Sequence, residues 1–261
     1  MTRVLVTGGG SGLGHDVVHA VLRQGQTPRV FTHRQDVTVP KGAELAQGDL
    51  RTGDGLDAAL DDVSIIIHCA SNAREPGFTT DIEGTRMLVR MAQAAGIGHL
   101  VFISIVGVER SDYGYYQAKR EAERIVESSE VPYSILRATQ FHDLVYGLLQ
   151  SWDDGSERLN VTAGMRFQSV ARTEVAARLI ELANETPAGY APPMRGPETL
   201  TIEEMAREYL AVRKRGGIVE TVAPQGTQYS VFRSGVNLLP DDATATCGRE
   251  TWAEFVRGRV E

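Results

Sequence analysis

Short apolar runs alternate with amphipathic segments through the first half of the chain. Continuous apolar runs such as Ile65-Ile66-Ile67 are typical of strands that are buried on both faces of a parallel sheet. This pattern predicts strands at residues 3–7, 28–33, 43–46, 64–69, 99–104 and 133–137. Apolar residues at helical spacing predict helices at about 15–24, 54–60, 79–95 and 114–128. Strands that alternate with helices of this length indicate an α/β fold with a doubly wound parallel sheet.

The second half of the chain has a less regular pattern. It predicts helices at 139–150, 173–184 and 202–213, a strand at 165–170, and a short C-terminal helix that includes Trp252, Phe255 and Val256. The segment Thr201-Ile202-Glu203-Glu204 has the residue types of a helix capping box. We expect residues 1–261 to form a single domain in which residues 139–261 contribute a small cap that binds the substrate.

Composition and charge narrow the class of protein. The 261 residues are 42% hydrophobic and 23% charged, and their net charge of −7 disfavours a general nucleic-acid-binding role. No apolar stretch approaches the roughly 20 residues that span a bilayer. Met1-Thr2-Arg3 leads directly into a strand without room for a signal peptide. The two cysteines, Cys69 and Cys247, lack metal-ligand spacing, so we expect no metal site. Together with the charge and the apolar pattern, the low number of cysteines predicts a cytoplasmic protein without a nucleic-acid or membrane partner.

A glycine-rich run lies between the first predicted strand and the first predicted helix. It reads Thr7-Gly8-Gly9-Gly10-Ser11-Gly12-Leu13-Gly14. Glycines at such a point allow a sharp turn, a close approach of the backbone to a pyrophosphate, and tight packing of the helix on the sheet. The N–H groups at the start of the helix then face the phosphates. The run predicts a dinucleotide site that includes Gly8, Gly10, Ser11, Gly12, Leu13 and Gly14.

Further motifs occur in the order and at the spacing of one protein superfamily. They are Gly48-Asp49-Leu50, His68-Cys69-Ala70-Ser71, Asp81-Ile82-Glu83-Gly84-Thr85, Phe102-Ile103-Ser104, Tyr115-Tyr116-Gln117-Ala118-Lys119 and the segment 133–143. With the glycine run, they resemble the short-chain dehydrogenases/reductases, in particular the atypical NmrA-like group that binds NAD(P). The resemblance implies a Rossmann-type sheet with a small mixed C-terminal lobe for the substrate. It also implies that Asp49 and Leu50 contact the adenine, and that Ala70 and Ser71 line the ribose and pyrophosphate channel.

The end of the second predicted strand bears on the choice of cofactor. This strand ends in His33-Arg34, at the point that faces the adenosine ribose in a Rossmann-type fold. An acidic residue there would accept a hydrogen bond from the 2′-hydroxyl of NAD, whereas a cation would pair with the 2′-phosphate of NADP. We therefore predict NADP as the cofactor. NAD is the less favoured alternative, for which Asp36 would have to turn towards the ribose.

Tyr115 and Lys119 are candidates for acid–base chemistry. Four residues separate them, so on a helix both side chains project from one face. An ammonium group near a phenol favours the phenolate, which lets the tyrosine exchange a proton with a substrate oxygen. By the resemblance, Tyr115 is the acid/base residue and Lys119 is its partner, which also binds the nicotinamide ribose. Tyr113 and Tyr116 compete less well because no lysine lies four residues after either of them.

Ser104 is the candidate for a hydroxyl that polarises the substrate. It ends the fifth predicted strand, and the next residue, Ile105, cannot supply a hydroxyl. Neighbouring strand residues point to opposite faces, so Ser104 and Ile105 cannot both face the site. A hydrogen bond from Ser104 to the backbone is the alternative interpretation. The sequence has no Walker-type lysine loop and no Gly-x-Ser-x-Gly segment after a strand, which disfavours ATP chemistry and an α/β-hydrolase.

These observations favour an NADP-dependent oxidoreductase that transfers hydride to or from a small carbonyl, enone or quinone-like substrate. One alternative is a sensor of the NmrA type that binds NAD(P) without turnover. A second is an NAD-dependent epimerase or dehydratase, although such enzymes usually carry a larger C-terminal domain. The partner we expect is a small-molecule substrate, and both a monomer and a homodimer agree with the polar outer faces of the helices at 79–95 and 114–128.

Overall fold

The computed structural model describes residues 2–214, 216–224, 229–240 and 243–259. Its strands are β1 (Arg3–Thr7), β2 (Thr27–Thr32), β3 (Glu44–Gln47), β4 (Val63–His68), β5 (His99–Ile105), β6 (Tyr133–Ala138), β7 (Arg158–Thr162), β8 (Arg166–Phe167), β9 (Gly189–Tyr190), β10 (Met194–Arg195), β11 (Leu200–Thr201), β12 (Ile218–Val222) and β13 (Thr246–Cys247). Its α-helices are α1 (Gly12–Arg23), α2 (Leu56–Leu60), α3 (Thr79–Ala94), α4 (Gly114–Glu127), α5 (His142–Trp152), α6 (Arg172–Asn184), α7 (Ile202–Val212), α8 (Ser230–Ser234) and α9 (Trp252–Arg257). Short 3-10 helices occupy Pro76–Phe78 and Val108–Arg110.

The described residues fall into two compact units. The first takes in Met1–Ser104, Gly114–Arg137 and Thr173–Ala191. The second takes in Ile105–Tyr113, Ala138–Arg172 and Pro192–Glu261. The segment from Thr173 to Ala191, which includes most of α6, therefore packs with the first half of the chain.

A parallel sheet forms the centre of the first unit. Its strand order is β6-β5-β4-β1-β2-β3, and β9 pairs with β6. Leu5 of β1 lies opposite Arg29 of β2 on one side and Ile66 of β4 on the other. The strand order reverses between β1 and β4, which is the topological switch point at which Rossmann-type folds bind ligands. The predicted α/β fold with a doubly wound parallel sheet is confirmed.

Apolar side chains on both faces of this sheet explain why its strands are where the pattern predicted them. Fully buried strand residues include Leu5, Ile66 and Leu100 on one face, and Val6 and Ile67 on the other. Each such side chain contributes about 1.5–3 kcal/mol relative to an exposed one. The six predicted strands end within one residue of the observed ones.

The second unit has its own core and short strand pairs. β7 pairs with β12 and β10 pairs with β13 in parallel, whereas β8 and β11 are antiparallel. Trp252 of α9 and Tyr209 of α7 are buried in its core. The predicted capping box at Thr201 is confirmed, and Thr251 forms a second one with Glu254. Among the helices in the described part of the chain, none has both the length and the apolar character needed to cross a membrane.

Candidate active site

The glycine run forms a tight turn between β1 and α1. A side chain at Gly14 would place its Cβ 2.3 Å from the carbonyl oxygen of Gly8, so helix α1 sits directly on the turn. Gly8 has a φ of +69°, and a Cβ there would lie 2.8 Å from the backbone of Ala70, which follows β4. The turn therefore allows no side chain at either position.

The start of α1 has the features of an anion site. Ser11 precedes the helix with an extended backbone, and its side chain caps none of the N–H groups in the described structure. Gly12, Leu13 and Gly14 begin the helix without any carboxylate in its first turn. The unpaired N–H groups and the positive end of the helix dipole are thus available to a negative group. This backbone cradle beside the switch point fits the pyrophosphate of a dinucleotide.

Cations lie beyond the end of β2 and β3. Arg34 is exposed, and its backbone N–H donates to Thr32 Oγ1 at 3.2 Å. Its guanidinium makes no ion pair with other described residues. Asp49 accepts from Arg51 at 2.6 Å, and Arg51 also contacts Glu75. The guanidinium of Arg51 holds the pKa of Asp49 below its ordinary value.

His33 and Leu50 complete this group of predicted cofactor residues. His33 is exposed, whereas Leu50 is buried in the core. The predicted contacts of His33, Asp49 and Leu50 with an adenosine remain predictions. Arg51 was not predicted as a cofactor residue, because nothing in its local sequence distinguishes it from an ordinary surface arginine.

Tyr115 belongs to a chain of hydrogen bonds that ends on a buried carboxylate. Its hydroxyl oxygen lies 2.7 Å from Ser71 Oγ, and Ser71 Oγ donates to Asp81 Oδ1 at 2.7 Å. Asp81 Oδ2 also accepts the N–H of Asn72 at 3.0 Å. Ser71 follows β4 and Asp81 lies on α3, so the switch point and two helices bring these groups together.

Lys119 forms the other side of this cluster. Its ammonium nitrogen lies 3.5 Å from Asp81 Oδ1 and 4.2 Å from the centre of the Phe102 ring. The side chain of Lys119 is 3% exposed and that of Asp81 is 0% exposed, so the pair is shielded from water. Burial lowers the pKa of Lys119, and the charge of Asp81 opposes that effect. The structure thus brings the predicted pair Tyr115 and Lys119 into one cluster through Ser71 and Asp81.

A buried histidine, His68, is linked to this cluster by hydrogen bonds. His68 Nδ1 lies 2.6 Å from Thr7 Oγ1, and His68 Nε2 lies 2.9 Å from Thr85 Oγ1. Thr85 Oγ1 donates to the carbonyl of Asp81 at 2.6 Å, so it must accept from His68 Nε2. His68 Nδ1 is then the acceptor for the Thr7 hydroxyl, which itself accepts the N–H groups of Cys69 and Ala70. This order of donors and acceptors requires a neutral imidazole.

The neutral state of His68 leads to a prediction about acid stability. Burial, and then the charge of Lys119, lowers the pKa of His68 from 6.5 to about 3. Between these values the unfolded chain binds the extra proton, so the free energy of unfolding falls as the pH falls, by up to about 1.4 kcal/mol per pH unit. Urea unfolding across this window is expected to show a shallower pH slope for His68→Gln than for the wild type. Parallel slopes would contradict the assignment.

Phe78 lies next to Tyr115 in a strained conformation. Its φ is +51°, in the left-handed region that a bulky residue rarely adopts, and Gly77 before it has a φ of +70°. The ring centres of Phe78 and Tyr115 are 5.9 Å apart. Left-handed backbone at a non-glycine residue costs about 1–2 kcal/mol, so contacts around the ring must hold it there. No sequence signal beyond the turn residues Pro76-Gly77 indicates this arrangement.

Ser104, the third predicted catalytic residue, lies on β5, near Glu123 of α4 and away from Tyr115. Its hydroxyl is buried and makes no hydrogen bond with good geometry to any described residue. Burial would raise the pKa of Glu123, but the hydrogen bonds and the charge of Arg137 outweigh it and lower that pKa. Glu123 is two helical turns from Tyr115. The hydroxyl bonded to Tyr115 is thus that of Ser71, which the resemblance placed in the cofactor channel.

Comparison with known proteins agrees with these features. Residues 8–186 match the family described as NAD(P)H-binding. A relative from Streptomyces griseus, named (4-alkanoyl-5-oxo-2,5-dihydrofuran-3-yl)methyl phosphate reductase, is 26% identical over 220 residues, which are 81% of this chain and 74% of the relative. The photosystem II assembly factor Ycf39 of Synechocystis sp. is 30% identical over 196 residues, which are 69% of this chain and 59% of the relative.

Solved structures share the fold over the whole chain. The NADPH-dependent quinone oxidoreductase of Escherichia coli, solved in complex with NADPH, has a TM-score of 0.80 at 18% identity and is covered over 100% of both chains. Several curated relatives are longer proteins, of which the chain spans 34% to 54%. Because the family match covers more than half of its residues, the chain belongs to the NAD(P)H-binding family, which confirms the predicted NAD(P)-binding group with a Rossmann-type fold.

Proposed function

We propose that the protein is an NADP-dependent oxidoreductase that transfers hydride to or from a small carbonyl, enone or quinone-like substrate. The observation that carries the proposal is the hydrogen bond from Tyr115 into the buried pair of Asp81 and Lys119. A dinucleotide-binding protein without turnover has no need to hold a tyrosine hydroxyl and a buried ammonium in one cluster. Placing a charged pair away from water costs free energy, which a functional role explains.

In this proposal the residues of the cluster hold and move one proton. Tyr115 donates its phenolic proton to the substrate oxygen during reduction and takes it back during oxidation. Lys119, one helical turn along the same face of α4, favours the phenolate form of Tyr115 by its charge. The dinucleotide, when bound at the glycine turn, supplies or accepts the hydride. Phe78 covers one side of Tyr115 and gives an apolar wall to a flat substrate.

Arg34 supports the choice of NADP over NAD. Its guanidinium is exposed beyond β2 without an ion pair among the described residues, so a 2′-phosphate would not have to displace a carboxylate. Arg34→Ala is expected to weaken NADPH binding about 10-fold to 100-fold and to leave NADH binding within about twofold. Fluorescence titration of the purified protein with each dinucleotide measures both affinities.

The matched control is Arg86→Ala, which removes an exposed arginine that pairs with Glu83 on α3. It is expected to change neither affinity. Equal weakening of NADPH and NADH by Arg34→Ala would remove Arg34 from the 2′-phosphate site. Arg51→Ala would then be the next variant to test, because Arg51 is an exposed cation that pairs with Asp49 beyond the end of β3.

A second candidate function is an NAD(P)-binding regulator or assembly factor without turnover. The match to the Synechocystis assembly factor favours this candidate, because the aligned region covers 69% of this chain. Binding alone does not separate the two candidates. An NADPH-consuming assay with carbonyl, enone and quinone substrates does, since a regulator binds the dinucleotide and consumes none.

A further inference from the structure

The direction of the hydrogen bonds at Tyr115 follows from the chemistry of its neighbours. The carboxylate of Asp81, paired with the ammonium of Lys119, can only accept hydrogen bonds. Ser71 therefore uses its one proton to donate to Asp81 Oδ1 at 2.7 Å. Its oxygen is left as an acceptor, so the Tyr115 hydroxyl donates to it across 2.7 Å. The protons thus point in one direction, from Tyr115 through Ser71 to Asp81.

We propose that Ser71 and Asp81 form a proton relay that restores the proton of Tyr115, with Lys119 as its buried proton store. This inference rests on the proposed oxidoreductase function. Ser71 and Asp81 act through Tyr115, so they are positioning residues in this scheme. The exposed position of Ser71 gives the relay contact with water at its outer end.

Each step of the relay conserves atoms and charge. During reduction the Tyr115 hydroxyl turns from Ser71 to the substrate oxygen, and its O–H bond breaks as the proton passes there. The Ser71 hydroxyl then turns from Asp81 to Tyr115, and its O–H bond breaks as a new O–H bond forms on the Tyr115 oxygen. An N–H bond of Lys119 breaks, and its proton passes by way of Asp81 to the oxygen of Ser71. The net result is the transfer of one proton from Lys119 to the substrate, which leaves a neutral amine that water refills through Ser71. The relay moves no electrons, and oxidation of an alcohol runs it in reverse.

Three groups near Lys119 keep a single protonation state near neutral pH, so the relay exchanges its proton through Lys119 and Asp81. Burial, opposed in part by Lys119, raises the pKa of the Cys69 thiol to about 12, so that thiol keeps its proton. His68 stays neutral because its pKa is about 3. Glu123 stays ionised because the hydrogen bonds and the charge of Arg137 lower its pKa. Burial lowers the pKa of Lys119 itself, which makes its ammonium a better proton donor.

Two variants test the relay in different ways. Ser71→Ala removes the hydroxyl that links Tyr115 to Asp81 and keeps the charges of Asp81 and Lys119, so kcat is expected to fall about 10-fold to 100-fold while the alkaline limb of the kcat profile keeps its position. Asp81→Asn removes the charge that keeps Lys119 protonated, so the alkaline limb is expected to move to lower pH. KM and NADPH affinity are expected to stay within about twofold in Asp81→Asn. A merely structural role for Asp81 would not move the limb.

Controls separate the relay from general damage to the site. Ser71→Thr keeps a hydroxyl and is expected to retain most of the activity, and Glu83→Gln removes an exposed carboxylate from the same helix without effect. Wild-type kcat in Ser71→Ala, or an unmoved alkaline limb in a folded Asp81→Asn, would overturn the relay.

A measurement without turnover distinguishes failure of the relay from failure of the proposed function. If the wild type consumes no NADPH with any substrate, the oxidoreductase proposal fails by itself. An NMR titration of the Lys119 side chain then tests the buried end of the relay. It is expected to show loss of the Lys119 charge at lower pH in Asp81→Asn than in the wild type, and identical titrations would overturn the pairing on which the relay depends.

Discussion

Replacing Tyr115 with phenylalanine is expected to lower kcat by about 10²–10⁴-fold, the usual contribution of a positioned general acid. The change removes the one hydroxyl that donates to Ser71 and leaves the ring in contact with Phe78. The glycine turn and Arg34 are untouched, so NADPH affinity is expected to stay within about twofold. Steady-state rates with one carbonyl or quinone substrate, together with a fluorescence titration with NADPH, measure both quantities.

Tyr113→Phe is the matched control for this prediction. It removes a phenol hydroxyl two residues earlier in the chain, at a tyrosine that lacks a lysine four residues on. Its kcat is expected to stay within about twofold of the wild type. Full activity in Tyr115→Phe would end the assignment of Tyr115 as the acid, and an equal loss in both variants would point to disturbance of the start of α4.

Gly14→Ala is expected to destabilise the protein by about 3 kcal/mol and to abolish dinucleotide binding. The new Cβ would lie 2.3 Å from the carbonyl oxygen of Gly8 and 2.9 Å from the Cα of Gly9, and both are backbone atoms that no side-chain rotation can move. Helix α1 must therefore shift away from the turn, which takes its N–H groups out of reach of a pyrophosphate. Urea unfolding and NADPH titration measure the two effects.

Gly147→Ala makes the same chemical change in another helix. Gly147 is exposed on α5, and a Cβ there would meet nothing within 4 Å. Alanine at that position is expected to stabilise the protein by about 0.5–1 kcal/mol, because glycine loses more conformational freedom in a helix. Similar stability changes in the two variants would contradict the account of the glycine turn.

The sequence predicted the sheet of the first unit well because its strands are buried on both faces. A run such as Ile65-Ile66-Ile67 leaves little choice of structure, and β4 is found at Val63–His68. The pairing of β7 with β12 could not be predicted in the same way. Ile218–Val222 is an exposed to half-buried edge strand without a clear period of two, and its partner is distant in the chain.

In the candidate site, too, the features that depend on neighbouring residues could be predicted from the sequence, and the contacts between distant segments could not. The spacing of Tyr115 and Lys119 and the glycine run are local patterns, and the structure brings the first pair into one cluster. Asp81 lies in a motif that the resemblance recognised, but its pairing with Lys119 depends on how α3 and α4 pack. The role predicted for Ser104 at the end of β5 stays a prediction, and the hydroxyl that the structure places against Tyr115 is that of Ser71 after β4.

Deuterium transfer from NADPH is the most direct test of the central claim that this protein catalyses hydride transfer. The protein would be incubated with NADPH deuterated at the transferable position of the nicotinamide and with small carbonyl, enone and quinone substrates. Mass spectrometry of the products is expected to show one deuterium in a reduced carbonyl or enone, or deuterated NADPH consumed in step with a reduced quinone. Tight binding of NADPH with no reduced product from any substrate would contradict the claim and favour a regulator that binds the dinucleotide without turnover.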